Sequence, residues 1–192
     1  LREIALHILD IAENSVAAGA KTVEITVDED QAGNRIRIAI QDDGKGMDPQ
    51  MLSSVADPFV TSRTTRVAGL GIPFLKAAAE ACNGSLRLAS EPGRGTCLEA
   101  EFERDHIDRM PLGDLPGTIM ALVVGFPETH WVFHYQVDGE RFTFDDGPLK
   151  RELGDLPLSE PSVLRFIRET LQAGVLGIRS AALSPPVSTP GG

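Results

Sequence analysis

The stretch Arg35-Ile-Arg-Ile-Ala-Ile-Gln-Asp42-Asp-Gly-Lys-Gly46 decides how this chain is read. Ile36, Ile38 and Ile40 alternate with Arg35, Arg37 and Ala39, the period of a strand with one buried face. The same alternation puts Asp42 on the face of the isoleucines and Asp43 on the opposite one. A carboxylate that projects into a core needs a partner. A buried acceptor at a strand end suits a hydrogen bond from the exocyclic amine of adenine and would repel the carbonyl of guanine. Gly44 and Gly46 let the backbone approach a flat base closely. Asp-Asp-Gly taken alone reads equally well as a turn, so its meaning depends on its surroundings.

N-terminal to it, Val23, Ile25 and Val27 alternate with Thr22, Glu24 and Thr26, predicting a second strand joined through the turn Ala32-Gly33-Asn34. Residues 3 to 18 predict a helix, with Ile4, Ile8, Ile11 and Ser15 along one stripe and Gly19 as its stop. A second stripe is polar: Glu3, His7, Asp10 and Asn14. Asp10 and Asn14 share a face, and Glu13 lies about 60° to the side. Such groups can hold a magnesium shell and polarise a water, though a solvated helix face shows the same pattern. His7 is expected to border the site as a polar packing residue.

On the C-terminal side, Asp48 and Pro49 open a short helix through Val55, and residues 57 to 70 show no periodicity. Gly69-Leu70-Gly71 runs into a helix ending at Cys82, with Pro73 in its first turn and Asn83-Gly84 as its stop. Glycines ahead of a helix expose N–H groups and the positive end of the dipole, which suits phosphate. The pattern is neither a dinucleotide fingerprint nor a Walker loop. Ser85 to Ser90 and Thr96 to Glu103 predict two more strands around the turn Glu91-Pro-Gly-Arg-Gly95. Parity puts Thr96 on the face of Leu98, Ala100 and Phe102, where its hydroxyl can reach a base directly or through water; a strand-favouring residue is the plainer reading.

The order of these features resembles the GHKL superfamily of topoisomerase, heat-shock chaperone, histidine kinase and mismatch-repair ATPases. The N box resembles Asp10-Ile-Ala-Glu-Asn-Ser-Val-Ala-Ala-Gly-Ala20. The G1 box resembles Asp42-Asp-Gly-Lys-Gly-Met47, the F box Asp57-Pro-Phe-Val-Thr-Ser62, and the G2 box Gly69-Leu-Gly-Ile72, followed by Gly93-Arg-Gly-Thr96. The resemblance implies a Bergerat ATP-binding fold: a two-layer α/β sandwich with helices 3–18 and 71–82 on one face of a mixed sheet and ATP between them. It implies that Asn14 binds magnesium and that Asp42 binds the adenine amine. Gly44, Gly46, Met47 and Thr96 would shape the base pocket, and Gly69, Leu70 and Gly71 would cradle phosphates. Phe59 and Thr61 belong to a lid over residues 57 to 70; Arg63, Arg66 and Lys76 are nearby cations that can offset phosphate charge. Asp10 and Glu13 are the candidate catalytic carboxylates. ATP-hydrolysing members similar to this chain carry Glu where Asp10 stands, and the shorter side chain puts efficient hydrolysis in doubt while leaving binding intact.

The chain has 192 residues and a net charge of −10. An acidic balance without a Lys/Arg stripe argues against a nucleic-acid partner. No apolar run approaches the roughly 20 residues that span a bilayer, so no membrane role is expected. No signal peptide is visible, and the sequence starts at Leu1 rather than Met, leaving the native start open. Cys82 and Cys97 read as free thiols, and a cytoplasmic location is expected.

Residues 1–104 are assigned to the ATP-binding domain, 105–178 to a small α+β extension, and 179–192, rich in Ser, Pro and Gly, to a disordered tail. Within the extension the sequence predicts a short apolar helix over 118–125. A hairpin of His130–Val137 with Arg141–Phe144 turns on Asp138-Gly139, and an amphipathic helix over Pro161–Ala173 ends at Gly174. Trp131, Phe133, Tyr135 and Val137 form one apolar stripe that either packs on the sheet or docks a partner. His130 and His134 lie on a strand and are not expected to share a metal.

In sensor kinases of this superfamily the phosphorylated histidine sits on a helical hairpin ahead of the catalytic domain. Here the N box begins ten residues in, so a stand-alone histidine-kinase-like ATP-binding protein is expected. Three functions follow: a phosphotransferase acting on a partner's His or Ser/Thr, a slow ATPase of the mismatch-repair type, or a non-catalytic ATP-dependent regulatory module. Each implies a partner protein, as phosphoacceptor or regulator, and a homodimer is open to all three.

Overall fold

In the computed structural model, residues 3–55 and 71–183 are described. The chain runs α1 (Ile4–Ala17), β1 (Thr22–Asp30), β2 (Arg35–Asp42), α2 (Pro49–Val55), α3 (Gly71–Glu80), β3 (Ser85–Glu91) and β4 (Gly95–Glu103). It continues through α4 (Leu115–Gly125), β5 (His130–Val137), β6 (Glu140–Asp145), α5 (Asp146–Leu153) and α6 (Pro161–Leu183). The six strands form one sheet in the order β3-β4-β2-β1-β5-β6. All pairs are antiparallel except β1 with β5.

Alternation decides the sheet's two faces. Val23, Ile25, Val27, Ile36, Ile38 and Ile40 are buried, as are Leu98, Ala100 and Phe102 on β4. Helices α1 and α3 cover this face, α4 sits between α1 and α6 over β5, and α6 packs on β5 and β6. The opposite face carries charges. Arg37 lies near Asp28 (3.9 Å) and Glu99 (3.8 Å), and Arg35 pairs with Glu101 at 3.3 Å. These pairs are solvated and contribute little stability each. The result is the expected two-layer α/β sandwich around a mixed sheet. Cys82 and Cys97 are both free.

The C-terminal half departs from the sequence reading in three places. The α4 helix begins at Leu115 rather than 118, because Asp114 caps it by accepting from the Gly117 N–H at 2.9 Å. Helix α5 went unread: only Leu149 and Leu153 of its eight residues pack on the core, too short a run to show a period, and Asp145 caps it by accepting from the Gly147 N–H at 2.8 Å. Helix α6 does not stop at Gly174 but continues to Leu183, so residues 179–183 are helical rather than part of a tail. Gly174 is there for close packing, since a Cβ would lie 2.2 Å from the Phe142 ring. Of the two readings open for Trp131, Phe133, Tyr135 and Val137, packing is the one observed: all four are buried and offer no docking surface. The hairpin itself is present, with Asp138 at φ 49° and Gly139 at φ 90° in its turn.

Candidate functional site

Helix α1 crosses the ends of β2 and β4, and a cavity of about 610 Å³, counting its open mouth, lies between them. Ile11, Ile40, Met47, Met51, Val55, Ile72, Leu88 and Leu98 make its lining mainly apolar; Asn14, Ser15, Asp42, Lys45 and Thr96 supply the polar side chains.

Asp42 is the last residue of β2 and only 8% exposed. Its two oxygens are held from different directions. Oδ2 accepts from the Ser15 hydroxyl at 2.7 Å, and Oδ1 from the Gly44 N–H at 2.9 Å. Ser15 occupies the fourth position of the apolar stripe on α1, where a hydroxyl can stay only with a partner. The sequence showed Ser15 on that stripe, and its polarity there was the available sign that it serves the site. Asp43 points the other way, as alternation requires, and accepts from the Lys21 and Thr22 N–H groups at 2.7 and 2.9 Å. Partial burial works against its ionised form, but the backbone donors outweigh that and hold the carboxyl below its ordinary value.

The register pairs Asp42 directly with Thr96, which brings a strand-end acid and a hydroxyl side by side across β2 and β4. The Thr96 hydroxyl is 3.0 Å from that of Ser90, which donates to the Gly95 carbonyl at 2.8 Å and accepts from the Met47 N–H at 2.9 Å. The loop after β2 is fastened at both ends. The Lys45 N–H donates to the Ala18 carbonyl at 3.0 Å, and the Gly93 N–H donates to the Lys45 carbonyl at 2.7 Å. Gly46 has φ 66°, and a Cβ there would lie 1.9 Å from the Glu91 carbonyl oxygen. Only glycine fits this close, left-handed crossing.

Asn14 lines the cavity from α1, and its buried side-chain nitrogen has no hydrogen-bond partner among the described residues. A buried amide left open in this way is a place for a polar ligand. Gly71 opens α3, and a Cβ there would lie 1.8 Å from Asp10 Oδ2. Asp10 therefore packs against the start of α3 and is not among the cavity-lining residues. Glu13 is exposed and does not line the cavity, as expected of a residue rotated off the stripe. Lys76 is half-buried on α3. His7 is buried, and its Nδ1 lacks a partner among the described residues; burial pushes its pKa below the ordinary value. Phe59, Thr61, Gly69 and Leu70, with Arg63 and Arg66 and the whole of the 57–70 lid assignment, lie outside the described residues. Sequence reasoning missed Met51, Val55 and Leu88, apolar cavity residues indistinguishable in sequence from ordinary core.

A one-sided α/β sheet with a strand-end acid facing a cleft under helix α1 defines a class of nucleotide-binding domain. Residues 1–106 match the family of histidine kinase-, DNA gyrase B-, and HSP90-like ATPases, and the chain belongs to that family. It contains a GHKL ATP-binding, kinase-like domain. It is 39% identical over 90 residues to the sensor protein kinase FleS of Pseudomonas aeruginosa, covering 47% of this chain and 22% of that protein. It is 25% identical over 91 residues to sporulation kinase C of Bacillus subtilis, covering 47% and 21%. The chain thus spans less than a quarter of the length of these relatives. The crystal structure of the N-terminal domain of a DNA repair protein aligns with a TM-score of 0.57, covering 91% of this chain and 57% of that one at 12% identity. That likeness is one of fold. No helix among the described residues is long and apolar enough to cross a membrane.

Proposed function

We propose that this chain binds Mg-ATP in the cavity beneath α1 and uses it on a partner protein, as a phosphotransferase or a signalling ATPase. The observation that carries the proposal is Asp42: an acid 8% exposed at a strand end, oriented by two donors, on the wall of an apolar cavity. In this reading Asp42 accepts from the adenine amine while Met47, Ile72 and Leu98 offer apolar surface to the base. Thr96 and Ser90 supply hydroxyls at the same edge.

The residues present fit magnesium and a triphosphate. Asn14 has an open amide in the cavity wall, and its oxygen is a suitable hard ligand once the amide is turned by what it faces. When bound, the ion would neutralise phosphate charge and orient the transferred group. Gly71 at the start of α3 puts helix N–H groups where an anion is favoured, and Gly69 and Leu70 precede it. Phe59 and Thr61 are proposed for the covering segment on the motif resemblance. Signal transduction in the cytoplasm, as a monomer or homodimer, is the setting this reading implies.

Asp10 and Glu13 bear on turnover. Asp10 is one methylene shorter than the glutamate of hydrolysing members and sits against Gly71, while Glu13 faces solvent. This favours slow hydrolysis, and it favours as second reading an ATP-dependent regulatory module that binds without turnover. Calorimetric titration with Mg-ADP and Mg-ATP tests the shared core, and folded protein that gives no heat ends both readings. Incubation with γ-labelled ATP and candidate partners then separates them: label on a partner's His, Ser or Thr supports transfer, and tight binding with neither label nor released phosphate supports the module.

A further inference from the structure

A second cavity lies at the opposite end of the sheet from Asp42, between the ends of β1 and β5, the segment after β4 and the end of α6. It has about 890 Å³ of space counting its open mouth. Three arginines line it, Arg104, Arg109 and Arg179, against one acid, Glu29. Asp105 pairs with Arg104 from outside the lining and the Glu3 carboxylate lies beside Gly113, so the charges left without a close carboxylate are those of Arg109 and Arg179.

The carboxylates of Glu29 and Asp105 both reach Arg104 and leave Arg109 and Arg179 unpaired with any acid among the described residues. Glu29 Oε1 accepts from the Tyr135 hydroxyl at 2.6 Å, and Glu29 Oε2 lies 3.7 Å from Arg104 Nε, beyond hydrogen-bond reach. The buried Arg104 Nε has no hydrogen-bond partner among the described residues. Arg104 Nη1 turns outward to Asp105 at 2.8 Å. Arg109 donates to the carbonyls of Arg104 and Met110, and Arg179 Nε donates to the Tyr135 hydroxyl at 2.9 Å. Among the described residues, neither Arg109 nor Arg179 has a carboxylate within 4 Å. Carbonyls and a phenol satisfy directions of hydrogen bonding but not charge.

The walls are preformed. The Ile4 and Ala5 N–H groups of α1 donate to the Pro111 and Leu112 carbonyls at 3.0 and 2.8 Å, which fixes the segment carrying Arg109. Burial, then the neighbouring Glu29, push the Tyr135 phenol up to about 12, so it stays protonated and holds Glu29 in place. Leu112, Val137 and Ala182 add an apolar side to the cavity.

We propose that this cavity is a binding site for a small organic anion. Its phosphate or carboxylate group meets the guanidinium groups of Arg104, Arg109 and Arg179, and its apolar body rests on Leu112, Val137 and Ala182. Planar guanidinium forks match such oxyanions, and the charges of Arg109, half-buried, and Arg179, exposed, have no carboxylate among the described residues to offset them. The site is separate from the cavity beneath α1 and does not depend on the function proposed for it.

The test uses the whole chain, saturated with Mg-ADP to occupy the other cavity, and titrates it with phenyl phosphate, benzoate and inorganic phosphate by amide NMR. Shifts concentrated at Leu112, Gly113, Val137 and Ala182 are expected, with either aromatic anion binding more tightly than inorganic phosphate. The stronger of phenyl phosphate and benzoate distinguishes a phosphate ligand from a carboxylate one. Arg109→Ala with Arg179→Ala should weaken binding about tenfold or more, and the paired lysine substitutions should restore part of it. If no anion shifts these amides, or the double alanine variant, folded by circular dichroism, binds as the parent does, the proposal is overturned.

Discussion

Asp42→Asn isolates the central claim about the first cavity, because the structure shows how the variant keeps its fold. The new amide can direct its oxygen to the fixed Gly44 N–H, now 2.9 Å from Oδ1. Its nitrogen then faces the Ser15 hydroxyl, 2.7 Å from Oδ2. That hydroxyl can accept, releasing its own proton toward the Ile11 carbonyl at 3.4 Å. The local network therefore survives with one weak bond, and little stability is lost. The ligand fares differently: a charged acceptor becomes a neutral group with its one oxygen already engaged, and its NH2 makes no hydrogen bond to the adenine amine, itself a donor. A hydrogen bond to a charged group is worth roughly 1.5–3 kcal/mol, which is a loss of about 10- to 100-fold in affinity. Calorimetry with Mg-ADP measures it, and thermal unfolding followed by circular dichroism checks the fold. An affinity within about twofold of the parent in a variant that still folds would refute the role given to Asp42.

Three further outcomes follow from the packing. Gly46→Ala must force a Cβ toward the Glu91 carbonyl from a backbone at φ 66°; it should cost at least about 2–3 kcal/mol, read as a drop of about 5–10 °C in Tm. Gly174→Ala drives a methyl into the Phe142 ring and should cost about 1–3 kcal/mol; in a thermodynamic cycle Phe142→Ala should absorb much of that cost, and strict additivity would show that the helix does not approach β6 as described. His7 has a folded pKa below its ordinary 6.5 because of burial. The unfolded state therefore binds more protons as pH falls through 6.5 toward the folded value, and stability falls with it. His134 is shifted the same way by its own burial, so denaturant titrations from pH 8 to 5 should compare the parent with His7→Gln. The variant should show the shallower decline.

The N-terminal half was legible because its signals are local and periodic. Alternation in β2 placed Asp42 inward and Asp43 outward before any neighbour was known, and the 3.6-residue period set Asn14 and Ser15 on α1. The C-terminal half was less legible. Gly174 reads as a helix stop, yet α6 runs through it because the missing side chain lets the helix approach Phe142, a contact made 32 residues away in sequence. Helix α5 offers only Leu149 and Leu153 to the core and is otherwise held by the Asp145 cap and by Lys150, which reaches the Thr129 carbonyl at 2.6 Å.

From the sequence alone came the family, the two faces of the sheet and the identity of the inward acid, because residue spacing fixes which side a group takes. Tertiary structure alone decided what those groups meet: Ser15 on Asp42 across 27 positions, Thr96 beside Asp42 across the β2–β4 register, and three arginines from two distant segments gathered around one acid. Spacing assigns a direction, whereas a partner requires the register between strands and the seating of helices, and no local stretch of chain carries those.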